Sequence, residues 1–343
     1  MNICGQNIAQ GERPFVIAEI GVNHDGDIRR AHELVDAACD AGADAVKVQF
    51  FRTALLLGND AGLASYQKDA GETDAAAMLQ RLELKNDELR EIAEHARERA
   101  VAAVCTVFTP ELVDEAEEIG FDAYKVASPD VVNRLLVDRL AATGRPLILS
   151  TGAATLDEIE RSLSWTRGAG MRLALMHCVS AYPTPDDEAT LGAVRTLGDR
   201  FGLPAGYSDH TSATDTGALA VAAGACVLEK HLTYSCAASG PDHSASLEPA
   251  AFGEYVRLAQ RAYTMLGGGE KTVLSIEGDV RSLARQSLAL LHEIARGDRI
   301  TPAALTTRRP GNGLAAAAPE AVVGRTATRD LAPGTVLSEE DLA

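Results

Sequence analysis

The chain contains few aromatic residues, no closely spaced cysteine pair and no long apolar stretch. Aromatic residues make up 4% of the 343 residues, with a single tryptophan, and the six cysteines form no Cys-x-x-Cys motif. We therefore expect reduced thiols, mostly packed in the core, with Cys178 as a less favoured catalytic candidate. No apolar run reaches the roughly 18 residues of a membrane-spanning helix, and no signal peptide is recognisable. We expect a cytoplasmic protein without a membrane partner.

Basic residues are also scarce relative to acidic ones. The sequence has 32 lysines and arginines against 49 aspartates and glutamates, which gives a net charge of −17. A surface this acidic argues against a nucleic-acid partner, although a basic pocket could still hold an anionic substrate. Hydrophobic residues make up 46% of the chain, enough for a large core without disulfides.

Eight short apolar segments, typical of buried strands, run through the first two thirds of the chain. They lie at residues 15–20, 45–50, 102–105, 123–126, 146–149, 172–176, 204–207 and 227–230. Helical patterns separate them, for example at residues 28–41, 87–100, 131–143, 155–168 and 215–223, and residues 258–266 end the last helix. Repeated strand–helix units predict an α/β fold, a parallel (β/α)8 TIM barrel. Polar residues at the strand ends would then meet at one mouth, which favours an enzyme.

The last part of the chain has a different character. Short β-like pieces at residues 287–291 and 322–327 alternate with turns, and residues 295–305 and 331–342 repeat one pattern. This indicates a small β-rich domain of about 55 residues. We expect a barrel domain at residues 1–274, a linker at 275–286 and the small domain at 287–343. The long segment 51–86 is expected to be a lid or a dimer contact.

Two histidines follow adjacent predicted strands. His210 and His231 could meet at the barrel mouth, where two imidazoles with open positions suit Mn, Fe, Zn or Mg. The alternative is a pair of histidines that only form hydrogen bonds.

Cationic and hydroxyl side chains also end successive strands. These residues are Lys47, Thr106, Lys125, Ser128, Ser150 and Ser208. Such a mixture suits a phosphate or carboxylate ligand, but the lysines could equally form structural salt bridges with Glu19 and Glu229. Candidate acids and bases are Glu19, Asp130, Asp209 and Asp242, although Asp130 could instead cap a helix.

Nine sequence motifs together resemble one known family. They are AEIGVNH at 18–24, KVQ at 47–49, YKVAS at 124–128, LSTG at 149–152, HCVSAYPTP at 177–185, GYSDHT at 206–211, EKH at 229–231, GPD at 240–242 and RPGNG at 309–313. In this order they resemble the sialic acid synthases, which condense phosphoenolpyruvate with an N-acylated mannosamine-type sugar to give a nine-carbon sugar acid. The carboxyl-terminal part resembles the antifreeze-like (SAF) domain of these enzymes.

The resemblance implies roles for individual residues. The phosphoenolpyruvate-binding positions would be Thr106, Lys125, Ser128, Ser150 and Ser208. The acceptor sugar would be bound by Gln49, Ser180, Tyr182, Asp242, Glu277 and Arg309. The candidate catalytic residues are Glu19, Lys47, Asp130, His177 and Arg309. His210 and His231 match the ligands of a divalent ion, Mn or Mg. Arg309 matches an arginine that the SAF domain inserts into the barrel of a partner, which implies a domain-swapped homodimer.

Four positions depart from the family pattern. Val107 replaces a proline, Pro129 a glycine, Asp130 a glutamate and Ala153 a methionine. The acceptor stays open between N-acetylmannosamine, its 6-phosphate and a 2,4-diacetamido-6-deoxyhexose. The alternative functions are a metal-dependent barrel hydrolase, which would need three or more protein ligands to the metal, and a sugar-binding protein without enzymatic activity.

Overall fold

Eight parallel strands close into a barrel in the first of two units of the chain, Met1–Gly268. The computed structural model describes residues 1–166 and 172–343. A hairpin of β1 (Asn2–Ile3) and β2 (Gln6–Asn7) comes first. The barrel strands are β3 (Phe15–Glu19), β4 (Ala45–Phe50), β5 (Ala102–Val107), β6 (Ala123–Val126), β7 (Leu147–Ser150), β8 (Leu173–Cys178), β9 (Ala205–Asp209) and β10 (Val227–His231). Each strand pairs with the next, and β10 pairs with β3, so the predicted (β/α)8 barrel is confirmed.

Helices connect the strands, and most of them lie on the outside of the barrel. They are α1 (Ile28–Asp40), α2 (Thr53–Leu56), α3 (Ser65–Asp69), α4 (Ala75–Leu82), α5 (Asn86–Glu98), α6 (Val113–Ile119), α7 (Arg134–Ala142), α8 (Leu156–Trp165), α9 (Gly192–Phe201), α10 (Thr216–Ala222) and α11 (Pro249–Leu266). The end of the helix predicted at 155–168 lies outside the described residues. Among those described, no helix is long and apolar enough to cross a membrane.

Helix α7 starts later than predicted. Ser128–Val132 forms a 3-10 turn, and the Asn133 side chain accepts a hydrogen bond from Leu136 N–H at 3.3 Å. Asn133 is therefore the N-cap of the helix, and the alternative interpretation of Asp130 as the cap is wrong.

Several barrel strands run one or two residues beyond their predicted ends. Strand β5 continues through Thr106 to Val107, and β10 ends at His231 rather than at Lys230. The prediction relies on apolar runs to mark buried strands, so it ends a strand too early where polar residues follow the run. The hydrogen-bonded ladder between strands does not depend on side-chain polarity. The polar residues therefore belong to the strands, and the pleat sends alternate side chains to opposite faces.

The barrel wall separates two apolar clusters. The outer cluster joins strand residues such as Val16 and Ala18 to the surrounding helices. The inner cluster contains Phe15 and Ile17 together with Ile3 of the amino-terminal hairpin. Because the hairpin packs into the inner cluster at the amino end of the strands, the polar strand ends lie at the opposite mouth.

The second unit, Gly269–Ala343, has its own small core. It contains α12 (Gly278–Ala284) and an antiparallel pair, β11 (Ser287–Leu290) and β12 (Leu305–Arg308). Its core residues include Leu288, Ile300, Val322 and Leu337. The predicted β-like piece at 322–327 is not a strand, because only Thr326 and Ala327 within it form isolated bridges. The predicted linker at 275–286 is partly helical, since it contains α12.

The packing of α10 against α11 can be tested at Gly217. A Cβ added at Gly217 would lie 2.5 Å from the ring of Tyr255. Gly217→Ala should therefore lower the free energy of unfolding by about 1–3 kcal/mol, as overpacking does. Gly192→Ala in α9 is the matched control, because nothing lies within 4 Å of its added Cβ. Urea unfolding that shows equal stability for both variants would contradict this packing.

Candidate active site

A cavity of about 500 Å³ lies at the carboxyl ends of the barrel strands. Side chains from the strand ends and the loops that follow them make its polar side. They are Glu19, Lys47, Gln49, Thr106, Lys125, Ser128, Ser150, Ser180, Tyr182, Ser208, His210, Glu229, His231 and Asp242. Most of the predicted site residues therefore come together, and they do so at the mouth where barrel enzymes place their active sites.

Two lysines and two glutamates form a buried ionic network in this cavity. Lys47 pairs with Glu19, its register partner on β3, and its Nζ lies 3.8 Å from Glu229 Oε1. Lys125 Nζ donates to Glu229 Oε1 at 2.6 Å and to Ser208 Oγ at 3.2 Å. The four charged side chains are at most 4% exposed. The lysines thus form the salt bridges that the sequence left as an alternative, and they also line the cavity.

Burial and mutual attraction set the charge states of this network. Burial lowers the pKa of Lys47 to about 8, although Glu229 acts to raise it. Burial also acts to raise the pKa of Glu229, but Lys125 and Lys47 outweigh that effect and hold it below its ordinary value. Lys47 and Glu229 are therefore mainly ionised at neutral pH. An anionic ligand entering the cavity would compete with the two carboxylates for the ammonium groups.

Gly152 lies close to several small side chains that line the same cavity. Ser128 Oγ accepts a hydrogen bond from Gly152 N–H at 3.0 Å. A Cβ on Gly152 would lie 2.5 Å from Ser180 Oγ and 3.1 Å from Cys178 Sγ, so this position has no room for a larger residue. Ser150 Oγ is buried and has no hydrogen-bond partner among the described residues. Such a group is costly to leave unpaired, and it fits an oxygen atom of a ligand.

The two predicted metal ligands lie side by side. The ring centroids of His210 and His231 are 5.3 Å apart. His210 Nδ1 donates to the Val179 carbonyl at 2.9 Å, which leaves Nε2 as the acceptor nitrogen of a neutral ring. His231 Nδ1 is buried without a hydrogen-bond partner in the described part of the chain. Burial lowers the pKa of His210 to about 4 and that of His231 well below its ordinary value. Two neutral imidazoles with free nitrogens fit a divalent ion.

Asp242 adds a carboxylate with an altered pKa next to the histidines. Its Oδ2 lies 3.6 Å from His231 Nδ1. Burial raises the pKa of Asp242 to about 7, and Lys47 partly offsets that effect. Asp242 can therefore take up or release a proton near neutral pH. The ring of Tyr182 stacks between His210, at 4.0 Å between centroids, and Tyr66, at 4.7 Å.

The segment predicted to be a lid or a dimer contact forms an apolar wall of the cavity. The residues of this segment that line the cavity include Phe51, Leu56, Tyr66, Met78, Leu79 and Leu82. Phe51, Met78 and Leu82 also pack with Val22 into a small apolar cluster. This packing holds the wall against the barrel, so one side of the cavity is polar and the other is apolar.

Two of the predicted catalytic residues do not line the cavity. His177 Nε2 contacts the Ala189 carbonyl at 3.0 Å and Thr190 Oγ1 at 3.2 Å, because alternate residues of β8 face outward. Asp130 Oδ1 accepts a hydrogen bond from Asn133 Nδ2 at 3.4 Å. The structure therefore gives no support to a catalytic role for His177 or Asp130.

Two further predicted residues belong to the second unit. Arg309 is exposed and directly follows β12. Glu277 Oε2 accepts a hydrogen bond from Leu274 N–H at 2.8 Å and so caps the start of the 3-10 turn Ser275–Glu277. Their predicted contacts with the acceptor stay predictions.

The structure adds lining residues that the sequence analysis did not assign to a ligand site. Glu229 was considered only as a salt-bridge partner, yet it lines the cavity two residues before His231. Strand alternation from His231 could have found it. Tyr66 lies in a connection without a regular pattern, and no sequence signal pointed to it.

Comparisons with known proteins agree with this geometry. A model described as the NeuB family matches residues 34–271, and a SAF domain model matches residues 285–343. The chain is 36% identical over 333 residues to the N,N'-diacetyllegionaminic acid synthase of Campylobacter jejuni. This match covers 96% of this chain and 100% of that protein. It is also 36% identical over 335 residues to the enzyme of the same name from Legionella pneumophila, covering 96% and 94% of the two chains.

A solved structure shows the same relationship. The crystal structure of N-acetylneuraminic acid synthetase from Leptospira borgpetersenii, in complex with citrate, matches with a TM-score of 0.75 and 31% identity. The match covers 82% of this chain and 94% of that one. The resemblance to the sialic acid synthases is therefore confirmed. This chain is an enzyme that belongs to the NeuB family of synthases and carries a SAF domain at its carboxyl end.

Proposed function

We propose that this enzyme condenses phosphoenolpyruvate with an N-acylated mannosamine-type sugar, or a related deoxy amino sugar. The products would be a nine-carbon 3-deoxy-2-ulosonic acid and phosphate. One observation carries the proposal: a single cavity holds two buried lysines, two neutral histidines and the Ser150 hydroxyl, which has no partner within residues 1–166 and 172–343. The names of the relatives, legionaminic and neuraminic acid synthases, support the same reaction class.

The anionic groups of phosphoenolpyruvate would bind at Lys125 and the neighbouring hydroxyl groups. These hydroxyl groups belong to Thr106, Ser128, Ser150 and Ser208. Lys125 already contacts Ser208, and Gly152 N–H points at Ser128. Charge-assisted hydrogen bonds from such donors favour phosphate and carboxylate oxygens.

The acceptor sugar would lie between the polar side and the apolar wall. Gln49, Ser180, Tyr182 and Asp242 offer hydrogen bonds to hydroxyl and amide groups. The apolar wall suits an acyl methyl group or a deoxy carbon, because both lose little when they leave water. This wall and the legionaminic acid synthase relatives support a 2,4-diacetamido-6-deoxyhexose as the acceptor.

The reaction would proceed by attack of the enol carbon of phosphoenolpyruvate on the open-chain aldehyde. Water then adds to the resulting oxocarbenium, and phosphate leaves with the bridging oxygen. His210 and His231 would hold a divalent ion, Mn or Mg, which supplies Lewis acidity toward an aldehyde oxygen. Glu19 and Asp242 are placed to hold or move protons, and Lys47 orients Glu19. The apolar wall would exclude bulk water from the side of the cavity that faces the polar groups.

The hydrolase alternative finds less support. It would need three or more protein ligands to a metal. Within residues 1–166 and 172–343, no group of three histidine, cysteine, aspartate or glutamate side chains is arranged to hold an ion.

A domain-swapped homodimer is part of the proposal. The start of the second unit exposes large apolar side chains, namely Val273, Leu274, Ile276, Val280 and Leu283. Apolar side chains gathered on one exposed segment mark an interaction surface, and a second copy of the chain would cover it. Arg309 would then complete the cavity of the partner, where its planar guanidinium suits the acceptor.

Lys125→Ala should lower kcat/KM for phosphoenolpyruvate by about 30- to 900-fold. Loss of a charged hydrogen bond in a buried site corresponds to about 2–4 kcal/mol of transition-state stabilisation. Lys85→Ala removes an exposed lysine instead and should leave the kinetics unchanged. Steady-state assays of phosphate release measure both variants. A Lys125→Ala enzyme within twofold of wild type in both kcat and KM would refute the assignment.

Removal of divalent ions with a chelator should abolish turnover, and Mn²⁺ or Mg²⁺ should restore it. His210→Ala and His231→Ala should each weaken Mn²⁺ binding, measured by calorimetry. His95→Ala changes a histidine that contacts Asp36 outside the cavity and should bind Mn²⁺ normally. Full activity in both cavity variants would rule out the metal site.

Subunit mixing tests the swapped dimer. Lys125→Ala inactivates the barrel site, and Arg309→Ala should inactivate the SAF contribution. After subunit exchange, activity should return in about half of the dimers, at one site each. If Arg309 acts within its own chain, every site keeps one lesion and the mixture stays inactive.

A further inference from the structure

A buried ion pair lies directly behind the two histidines, and the proposed reaction does not use it. Asp209 is the last residue of β9 and directly precedes His210. Lys230 directly precedes His231, the last residue of β10. Both residues have no exposed surface. They are register partners in the barrel, and Lys230 Nζ lies 3.3 Å from Asp209 Oδ1. Neither residue lines the cavity, because successive residues of a strand point to opposite faces.

Lys230 contacts the chain on both sides of His210. Its Nζ faces Asp209, the residue before the histidine, and donates to the carbonyl of Thr211, the residue after it. Asp209 Oδ1 accepts hydrogen bonds from Thr211 N–H and Oγ1, both at 2.8 Å. Lys230, the residue before His231 on β10, therefore holds the chain on both sides of His210, just after the end of β9.

Helices α10 and α11 seal the pair from solvent. Lys230 Nζ lies 5.8 Å from the centroid of the Tyr255 ring. Tyr255 packs so closely on α10 that Gly217 has no room for a Cβ. Thr211 Oγ1 also lies 2.9 Å from Thr216 Oγ1, at the start of α10. Both residues are fully buried and do not line the cavity, so a ligand bound in the cavity does not touch the pair.

Stability alone is a weak explanation for two fully buried charges. Taking both out of water is costly, and apolar residues of similar volume often stabilise a fold as well or better. An ion pair does supply what apolar contacts lack, which is a directional link between defined atoms. Here that link joins two strand ends at the level of the histidines.

We propose that the Asp209–Lys230 pair positions His210 and His231 so that both can hold one metal ion. The inference rests on the metal site of the proposed function. The pair links the two strand ends on the outer face at a fixed separation. Each histidine is the next residue along the chain and points to the inner face at the resulting spacing. Asp209 and Lys230 are positioning residues and take no part in the chemistry.

The test uses the double variant Asp209→Asn with Lys230→Met, which removes both charges and keeps similar shapes. Mn²⁺ affinity is measured by calorimetry on the full-length protein without substrate. We expect the dissociation constant to rise about 10- to 100-fold, the usual effect of losing support behind metal ligands, with little change in the thermal midpoint. Arg13→Met with Asp44→Asn is the matched control, because it removes a pair with a buried carboxylate just before β4. Its Mn²⁺ affinity should equal that of wild type.

The outcomes separate this inference from the metal site itself. A wild-type protein that does not bind Mn²⁺ overturns both. If the wild type binds Mn²⁺ and the dissociation constant of the double variant is within twofold of the wild-type value, only the positioning role is overturned. This holds even if the thermal midpoint of the double variant has fallen. Should the double variant fail to fold, Thr211→Val decides, because it removes one hydrogen bond to Asp209 and keeps both charges. We expect at least a threefold weaker Mn²⁺ affinity, and an unchanged affinity overturns the proposal.

Discussion

The alternation of side chains along parallel strands is the constraint on which both the core and the candidate site depend. On β10, Glu229 and His231 face the cavity, while Lys230 between them faces the helices. A shift of one residue in register would exchange these roles and bury the wrong groups. The closed barrel fixes the register of every strand on both sides. The same geometry therefore packs the outer apolar cluster against the helices and gathers polar groups at one mouth.

The burial of charge at this mouth explains why the cavity suits an anionic substrate. Lys47 and Lys125 have carboxylates as ion-pair partners. Burial lowers the pKa of both neighbouring histidines and makes them neutral, although Asp242 Oδ2 lies 3.6 Å from His231 Nδ1. Cationic groups that suit an anion and neutral nitrogens thus lie side by side in one cavity.

The barrel and most of the cavity could be predicted from sequence, for physical reasons that particular residues illustrate. An apolar run that ends in a polar residue marks both a buried strand and its carboxyl end, which placed Lys125, Ser208 and His231 correctly at the mouth. His177 also sits at such an end, but the run alone does not reveal which face a residue takes. Asp130 is a similar case, because it lies in a turn before α7 and its side chain accepts a hydrogen bond from Asn133. The apolar wall depends on long-range packing of Met78 and Leu82 on Val22, which no local pattern encodes.

The central claim is that carbon–carbon bond formation is coupled to cleavage of the carbon–oxygen bond of phosphoenolpyruvate. The most direct measurement supplies phosphoenolpyruvate with an isotope label in its bridging oxygen, Mn²⁺ and a panel of N-acylated amino sugars. Mass spectrometry then follows phosphate and sugar products. The account predicts that phosphate appears only with an acceptor, carries the label, and accompanies a product three carbons longer than the acceptor. Unlabelled phosphate, or phosphate and pyruvate formed without any acceptor, would contradict it.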